Sequence, residues 1–126
     1  MSDQSRLFEA GPDPFGRMWK VQFRWLQTGI SIRHADTVDV KFFVTPDGEG
    51  EPEEKVIALP HPALLELTAR RGRKLSDPYC RRLAAAHLRR MIETSEDIEK
   101  TLVTLTPEEL DAYDQQLNGE TVPRPL

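Results

Sequence analysis

The chain has 126 residues, 38% of them hydrophobic and 30% charged, with a formal net charge of −4. That length fits one domain able to bury roughly two-thirds of its unfolded surface, and the composition excludes wholesale disorder. The negative balance counts against a dedicated nucleic-acid-binding domain, which is more commonly basic overall.

Residues 1–16 read as a flexible N-terminal arm, because Gly11, Pro12, Pro14 and Gly16 break any periodicity, although Leu7, Phe8 and Phe15 could pin it down. Trp19, Val21, Phe23 and Trp25 then alternate with Lys20, Gln22 and Arg24, the signature of a half-buried strand. Ile30 and Ile32 continue the alternation, as do Val38, Val40, Phe42 and Val44. A two-residue turn at Thr28-Gly29 would pair Trp25 with Ile32 and Phe23 with His34. A three-residue loop at 35–37 would pair His34 with Val38 and Ile32 with Val40. This register gathers the apolar residues on one face and sets Lys20, Arg24, Arg33, Asp39 and Lys41 on the other, with Arg24 unfavourably opposite Arg33. Asp47, Glu49, Glu51, Glu53 and Glu54, with Gly48 and Gly50, mark an exposed acidic hairpin tip before a fourth short strand at Lys55 to Leu59.

After Leu59 the period changes. Pro60-His61-Pro62 opens a helix that uses Leu64, Leu65, Leu67 and Thr68 and stops at Gly72. Ser76 or Asp77 caps a second helix, with Pro78 in its first turn, running to about Ile92. Residues Thr94 to Thr106 fit either a helix or a fifth strand, and the β-branched run from Thr101 to Leu105 favours the strand. Thr106-Pro107-Glu108-Glu109 is a capping box that starts a last helix, with Leu110, Tyr113 and Leu117 as a thin apolar stripe and Asn118-Gly119 as its end. Residues 119–126 read as a loose tail. The expected fold is α+β, a single domain over 17–118: an antiparallel meander of four or five strands with two or three C-terminal helices on one face. Its expected core is Trp19, Val21, Phe23, Trp25, Ile30, Ile32, Val38, Val40, Phe42 and Val44 from the sheet. Leu64, Leu67, Leu83, His87, Leu88, Met91 and Ile92 supply the helical half.

Charge is distributed unevenly along this chain. The window from Arg70 to Arg90 holds eight of the seventeen basic residues and one acid, Asp77. At about 100° per residue, Cys80, Leu83, Ala84, His87, Leu88, Met91 and Ile92 share one arc of the second helix, while Arg82, Arg89 and Arg90 lie opposite. Arg81 falls beside the apolar arc and needs either a route to solvent or an acid. The surface formed by Arg70, Arg71, Arg73, Lys74, Arg82, Arg89 and Arg90 is therefore a candidate site for an anion or a partner: phosphate groups, RNA, DNA or an acidic protein. Against this stand nine acids from Glu93 to Glu120, opposed by Lys100 alone, which favour neutralisation within the chain.

Chemistry of other kinds finds little support. His34, His61, His87 and Cys80 suffice in number for a zinc site, but Cys80 and His87 are two helical turns apart, about 10.5 Å of rise, and the close pairs that hold zinc are absent. No metal ligand set and no cofactor motif is assigned. His34 with Asp36 is the best local acid–base pair, and Cys80 would be reactive only if exposed. The N-terminus lacks the apolar core of a secretory signal, and no apolar run reaches membrane-spanning length, so a cytoplasmic protein without a membrane partner is expected. The favoured reading is a non-catalytic module acting through protein–protein contacts or self-association as a homodimer. The alternatives are nucleic-acid or phospholigand binding through Arg70 to Arg90, and a small enzyme with a site assembled from separate segments.

Overall fold

Alternating burial along Trp19, Val21 and Phe23 builds the inner face of a long strand in the computed structural model, which describes residues 7–29 and 36–121. In chain order the elements are β1 (Leu7–Ala10), β2 (Trp19–Gly29), β3 (Thr37–Pro46), β4 (Glu53–Pro60), α1 (His61–Arg70), α2 (Asp77–Thr94), β5 (Leu102–Thr104) and α3 (Pro107–Thr121). The sheet order is β1-β2-β3-β4-β5, with the first four strands antiparallel and β5 parallel to β4. The fold is α+β, with its helices after the main run of strands. Val21, Val40, Phe42, Val44, Ile57 and Leu59 meet Leu64, Leu67, Leu83, Leu88, Met91 and Ile92 in one core. Among the described residues no helix is long and apolar enough to cross a membrane.

The strand pairing differs from the one that the turn signals suggested. β2 pairs directly with β3, matching Phe23 to Phe42, Leu26 to Val40 and Gly29 to Thr37. On its other side β3 pairs with β4, where Val40 meets Ile57 and Val38 meets Leu59. β2 and β4 thus take both edges of β3, where Ile32 was expected opposite Val40 and His34 opposite Val38. One ladder of ten matched pairs joins β2 to β3, where two short hairpins were expected. Ile30, Ile32, Arg33 and His34 lie outside the described residues.

A bulge explains the second departure. The register shifts between Phe23 and Trp25, leaving Arg24 as the extra residue. The inward alternation is therefore broken, and Leu26 rather than Trp25 packs against the core. Trp25, expected inside, is 37% exposed on the outer face, with the Lys41 ammonium 5.4 Å from its ring centroid. Lys41 also pairs with Glu54 at 2.8 Å.

The segment read as a loose arm contributes β1, in which Phe8 pairs with Val21 and Ala10 with Trp19. Asp13 holds the turn that follows. Its carboxylate accepts from the Phe15 and Arg17 amides at 2.9 Å, from Arg17 Nε at 2.8 Å and from Trp19 Nε1 at 2.9 Å. Burial alone would raise this carboxyl's pKa, but the bonds from Trp19, Arg17 and Phe15 outweigh it and hold the group well below the usual range. Gly11, at φ 125°, is needed here because a Cβ would stand 2.8 Å from the Arg17 carbonyl oxygen.

The fifth strand is present at Leu102–Thr104, but it runs parallel to β4. Two helices separate the strands in sequence, and such a crossover returns the chain in the same direction. Lys55 fixes this junction. It occupies an inward position of β4, is 2% exposed, and donates from Nζ to the carbonyls of Ile98 and Lys100, the latter at 2.9 Å. Burial lowers its pKa, against the raising effect of Glu53 and Glu99. The last helix passes through Asn118-Gly119 to Thr121, so that pair is not its stop. Its start is the expected capping box: the Glu109 amide donates to Thr106 Oγ1 at 3.1 Å, and the Thr106 amide donates to Glu109 Oε1 at 2.9 Å. The second helix likewise starts as expected, with Ser76 Oγ accepting from the Tyr79 amide.

Replacing Lys55 by methionine keeps the stem and deletes the ammonium, leaving two loop carbonyls without their donor. Urea unfolding should show a loss of about 2 kcal/mol, the scale of an unmet buried polar group. An unchanged midpoint would mean that water serves those carbonyls equally well.

Candidate anion- and partner-binding surface

The basic window folds into the end of α1, the α1–α2 loop and the outer face of α2, and these three places treat its charges differently. Arg70 and Arg71 leave the last turn of α1 beside α3, whose Asp111 accepts from Arg71 Nη2 at 3.4 Å and lies 3.7 Å from Arg70. Asp114, one turn further along α3, is fully buried. It is met by Arg71 Nε at 2.8 Å, by Arg73 Nη2 at 3.2 Å and by the Tyr79 hydroxyl at 2.7 Å. Burial, and then the bond to Asp114, push the Tyr79 phenol pKa well above its usual value. The Arg73 guanidinium also lies over the Tyr79 ring, 5.5 Å from its centroid. Arg70, Arg71 and Arg73 are thus matched by acids of the same chain.

Arg81 meets no acid among the described residues. Half-buried beside the apolar arc, it lays its guanidinium 5.0 Å from the Phe23 ring centroid. Arg90 is shared between Glu96 at 3.4 Å, Glu109 at 3.9 Å and the Tyr113 hydroxyl, and it is held firmly protonated by that last bond above all. Arg89 lies over the Phe8 ring at 4.4 Å and donates to the Glu9 carbonyl at 3.3 Å. Lys74, Arg82 and Arg89 meet no acid among the described residues. Among the described residues, neutralisation within the chain is therefore real for the first group of cations and incomplete for the face of α2.

That face borders a cleft of about 650 Å³ between α2 and α3. Arg82, Arg89, Arg90 and Glu93 supply its charge, Ala85, Ala86 and Leu117 its apolar surface, and Tyr113 and Gln116 its neutral polar groups. Arg82, Ala85 and Arg89 also line a smaller depression with Phe8, Pro78 and Arg81, of about 290 Å³. Leu117, Tyr113 and Gln116 were not singled out as site residues from sequence. Their signal was the Tyr113–Leu117 spacing of four, which marks a helical face without saying what it faces.

The remaining sequence candidates are placed by burial. Cys80 is 2% exposed, and burial pushes its thiol up to about 12, so it is not a ready nucleophile. His34 lies outside the described residues, and the Asp36 carbonyl accepts from the His61 amide at 2.9 Å. His87 is a core residue whose Nδ1 lies 2.7 Å from the Tyr113 hydroxyl. Its Nε2 is buried and has no hydrogen-bond partner among the described residues. Burial, ahead of the nearby charges, lowers the His87 pKa. Among the described residues no three His, Cys, Asp or Glu side chains are grouped to hold a metal ion. Comparisons with family models, with curated proteins and with solved structures found no match.

Tyr79→Phe should lower stability by about 1.5 kcal/mol through the lost bond to a carboxylate, and Asp114→Ala by more, since it strands a buried hydroxyl and two cations. The double variant should cost less than the two losses added, as measured by urea unfolding. Strict additivity would show that the two groups act separately. For His87 the folded pKa lies below the unfolded value of 6.5. As pH falls below that value the unfolded chain takes up the proton first, so stability falls with acidification, and less so in a His87→Leu variant. An imidazole NMR titration midpoint above 6.5 would contradict this.

Proposed function

We propose that the protein is a small, non-catalytic binding module that acts through protein–protein contacts, receiving an acidic segment with apolar anchors in the α2–α3 cleft. The observation that carries this reading is the division of the cleft's surface: Ala85, Ala86 and Leu117 form an apolar strip bordered by Arg82, Arg89 and Arg90. An amphipathic partner helix would lay its apolar side on that strip and its carboxylates against the arginine forks. Glu93 would repel an acid at its end of the cleft and so help to set the direction of the segment. Self-association of α3 on α2 has less support, because Asp111, Asp114 and Glu109 are already engaged within their own chain. A nucleic-acid reading has less support for a similar reason: Arg70, Arg71 and Arg73 are drawn to α3, and Tyr79, the aromatic residue of the basic window, is buried and so gives no stacking surface. A cytoplasmic place of work goes with this reading and suits a lone, buried, unpaired thiol.

The test uses a labelled amphipathic peptide of about fourteen residues with leucines at helical spacing and glutamates elsewhere. Its affinity, read by fluorescence anisotropy, should fall with added salt and drop about tenfold or more in an Arg82→Gln/Arg89→Gln variant. Equal binding by the variant, or by a lysine version of the peptide, would sink the proposal. Tighter binding of an oligothymidylate than of the peptide would favour the nucleic-acid reading instead.

A further inference from the structure

A second, smaller pocket lies where the α1–α2 loop meets the start of α2. Its volume is about 100 Å³, and it is lined by Thr68, Arg73, Lys74, Ser76, Tyr79 and Arg82. Organic ligands generally occupy roughly 300–1,000 Å³, so this space is too small for one. It would hold about three waters at their liquid volume, or one compact tetrahedral ion.

The lining chooses the sign of that ion. All three charged side chains at the pocket, Arg73, Lys74 and Arg82, are cationic. Asp77, the acid of this segment, lines a different depression with Phe23, Leu26, Pro78 and Arg81. Asp114 lies close by, since it binds Arg73 and Tyr79, but Arg71 and Arg73 both answer its charge. Lys74 and Arg82 meet no acid among the described residues, and no acid lines the pocket with them.

Hydrogen-bonding capacity points the same way. Ser76 Oγ accepts from the Tyr79 amide, which leaves its hydroxyl proton free to be donated. Thr68 directs its own proton to the Leu64 carbonyl at 3.0 Å and therefore serves as wall rather than donor. The pocket offers a guanidinium fork, an ammonium and a hydroxyl, and no carboxylate. We propose that it binds a phosphoryl group, either as free phosphate or at the end of a phosphorylated side chain. Arg82 contributes a planar pair of donors, Lys74 a point charge, and Ser76 a neutral donor. This site shares Arg82 with the partner-binding cleft and is told apart from it by its other cations, because Lys74 lines the pocket and not the cleft, while Arg89 lines the cleft and not the pocket.

The experiment is an amide NMR titration of the ¹⁵N-labelled full chain with inorganic phosphate and, separately, with a phosphoserine peptide, both at ionic strength held constant by chloride. The largest shifts should fall at Lys74, Ser76 and Tyr79. Lys74→Gln should weaken binding about tenfold while Arg89→Gln leaves it unchanged, and the same spectra report whether each variant is folded. Tighter binding of the peptide than of phosphate identifies a phosphorylated chain as the source of the group, and equal binding identifies the free ion. Shifts spread over Arg89, Arg90 and Lys20, shifts reproduced by chloride alone, or a folded Lys74→Gln variant that binds unimpaired would each overturn the proposal.

Discussion

A buried carboxylate organises the helical layer. Asp114 has no exposed surface, and such a charge is tolerable only when its oxygens are met from several sides. Partners reach it from Arg71 just past α1, from Arg73 in the loop, and from the Tyr79 hydroxyl in the first turn of α2. One side chain of α3 therefore fixes where α1 ends, how the loop turns and where α2 begins. Arg71 and Arg73 remain about one-third and two-fifths exposed, so the assembly desolvates the acid much more than its bases. That asymmetry keeps the cost of burial low, because a guanidinium at the surface retains part of its hydration. It also leaves the hydroxyl of Tyr79 as the partner with no alternative in water.

Lys55 does for the sheet what Asp114 does for the helices. It places a charge at an inward position of β4, where alternation would call for an apolar residue, and satisfies it with two carbonyls of the loop that leads to β5. β5 is three residues long and carries little burial of its own: Leu102 is 58% exposed. Its place in the sheet therefore depends on the flanking bonds, including those from the Val56 amide to the Thr101 carbonyl and from the Leu105 amide to the Ala58 carbonyl.

What could be read from the residues was local. The capping box at Thr106, the cap at Ser76 followed by Pro78, and the apolar arc from Cys80 to Ile92 each need only a few neighbours in sequence to be recognised, and each is present. The inner face of β2 was legible as far as Phe23 and then failed, because a bulge at Arg24 turns Trp25 outward and Leu26 inward. Two adjacent apolar residues, Trp25 and Leu26, were the trace of that shift. β1 was hidden by the glycines and prolines that follow it, which mark the turn built around Asp13 rather than an absence of structure before it. The direction of β5 and the partners of Arg71 and Arg73 rest on contacts about forty residues apart, and no periodicity carries such information. For the candidate site, sequence assigned the outward face of α2 but could not say which of its cations α3 would reach.

The position of α3 decides that last question. Asp111 and Asp114 are one turn apart on a helix that packs beside α1 and the loop, so they draw in the three arginines of that corner. Glu109, earlier on the same helix, reaches Arg90 further along α2. Arg82 and Arg89 lie along the same outer face of α2, with Arg89 turned towards β1 through Phe8 and Glu9. A block of nine acids therefore does not cancel a block of eight bases as a sum of charges would suggest. Helical geometry allots acids to some arginines and, among the described residues, none to Lys74, Arg82 and Arg89, which line the cleft and the pocket. Arg82 lines both, so whatever anion occupies the one changes the field felt in the other.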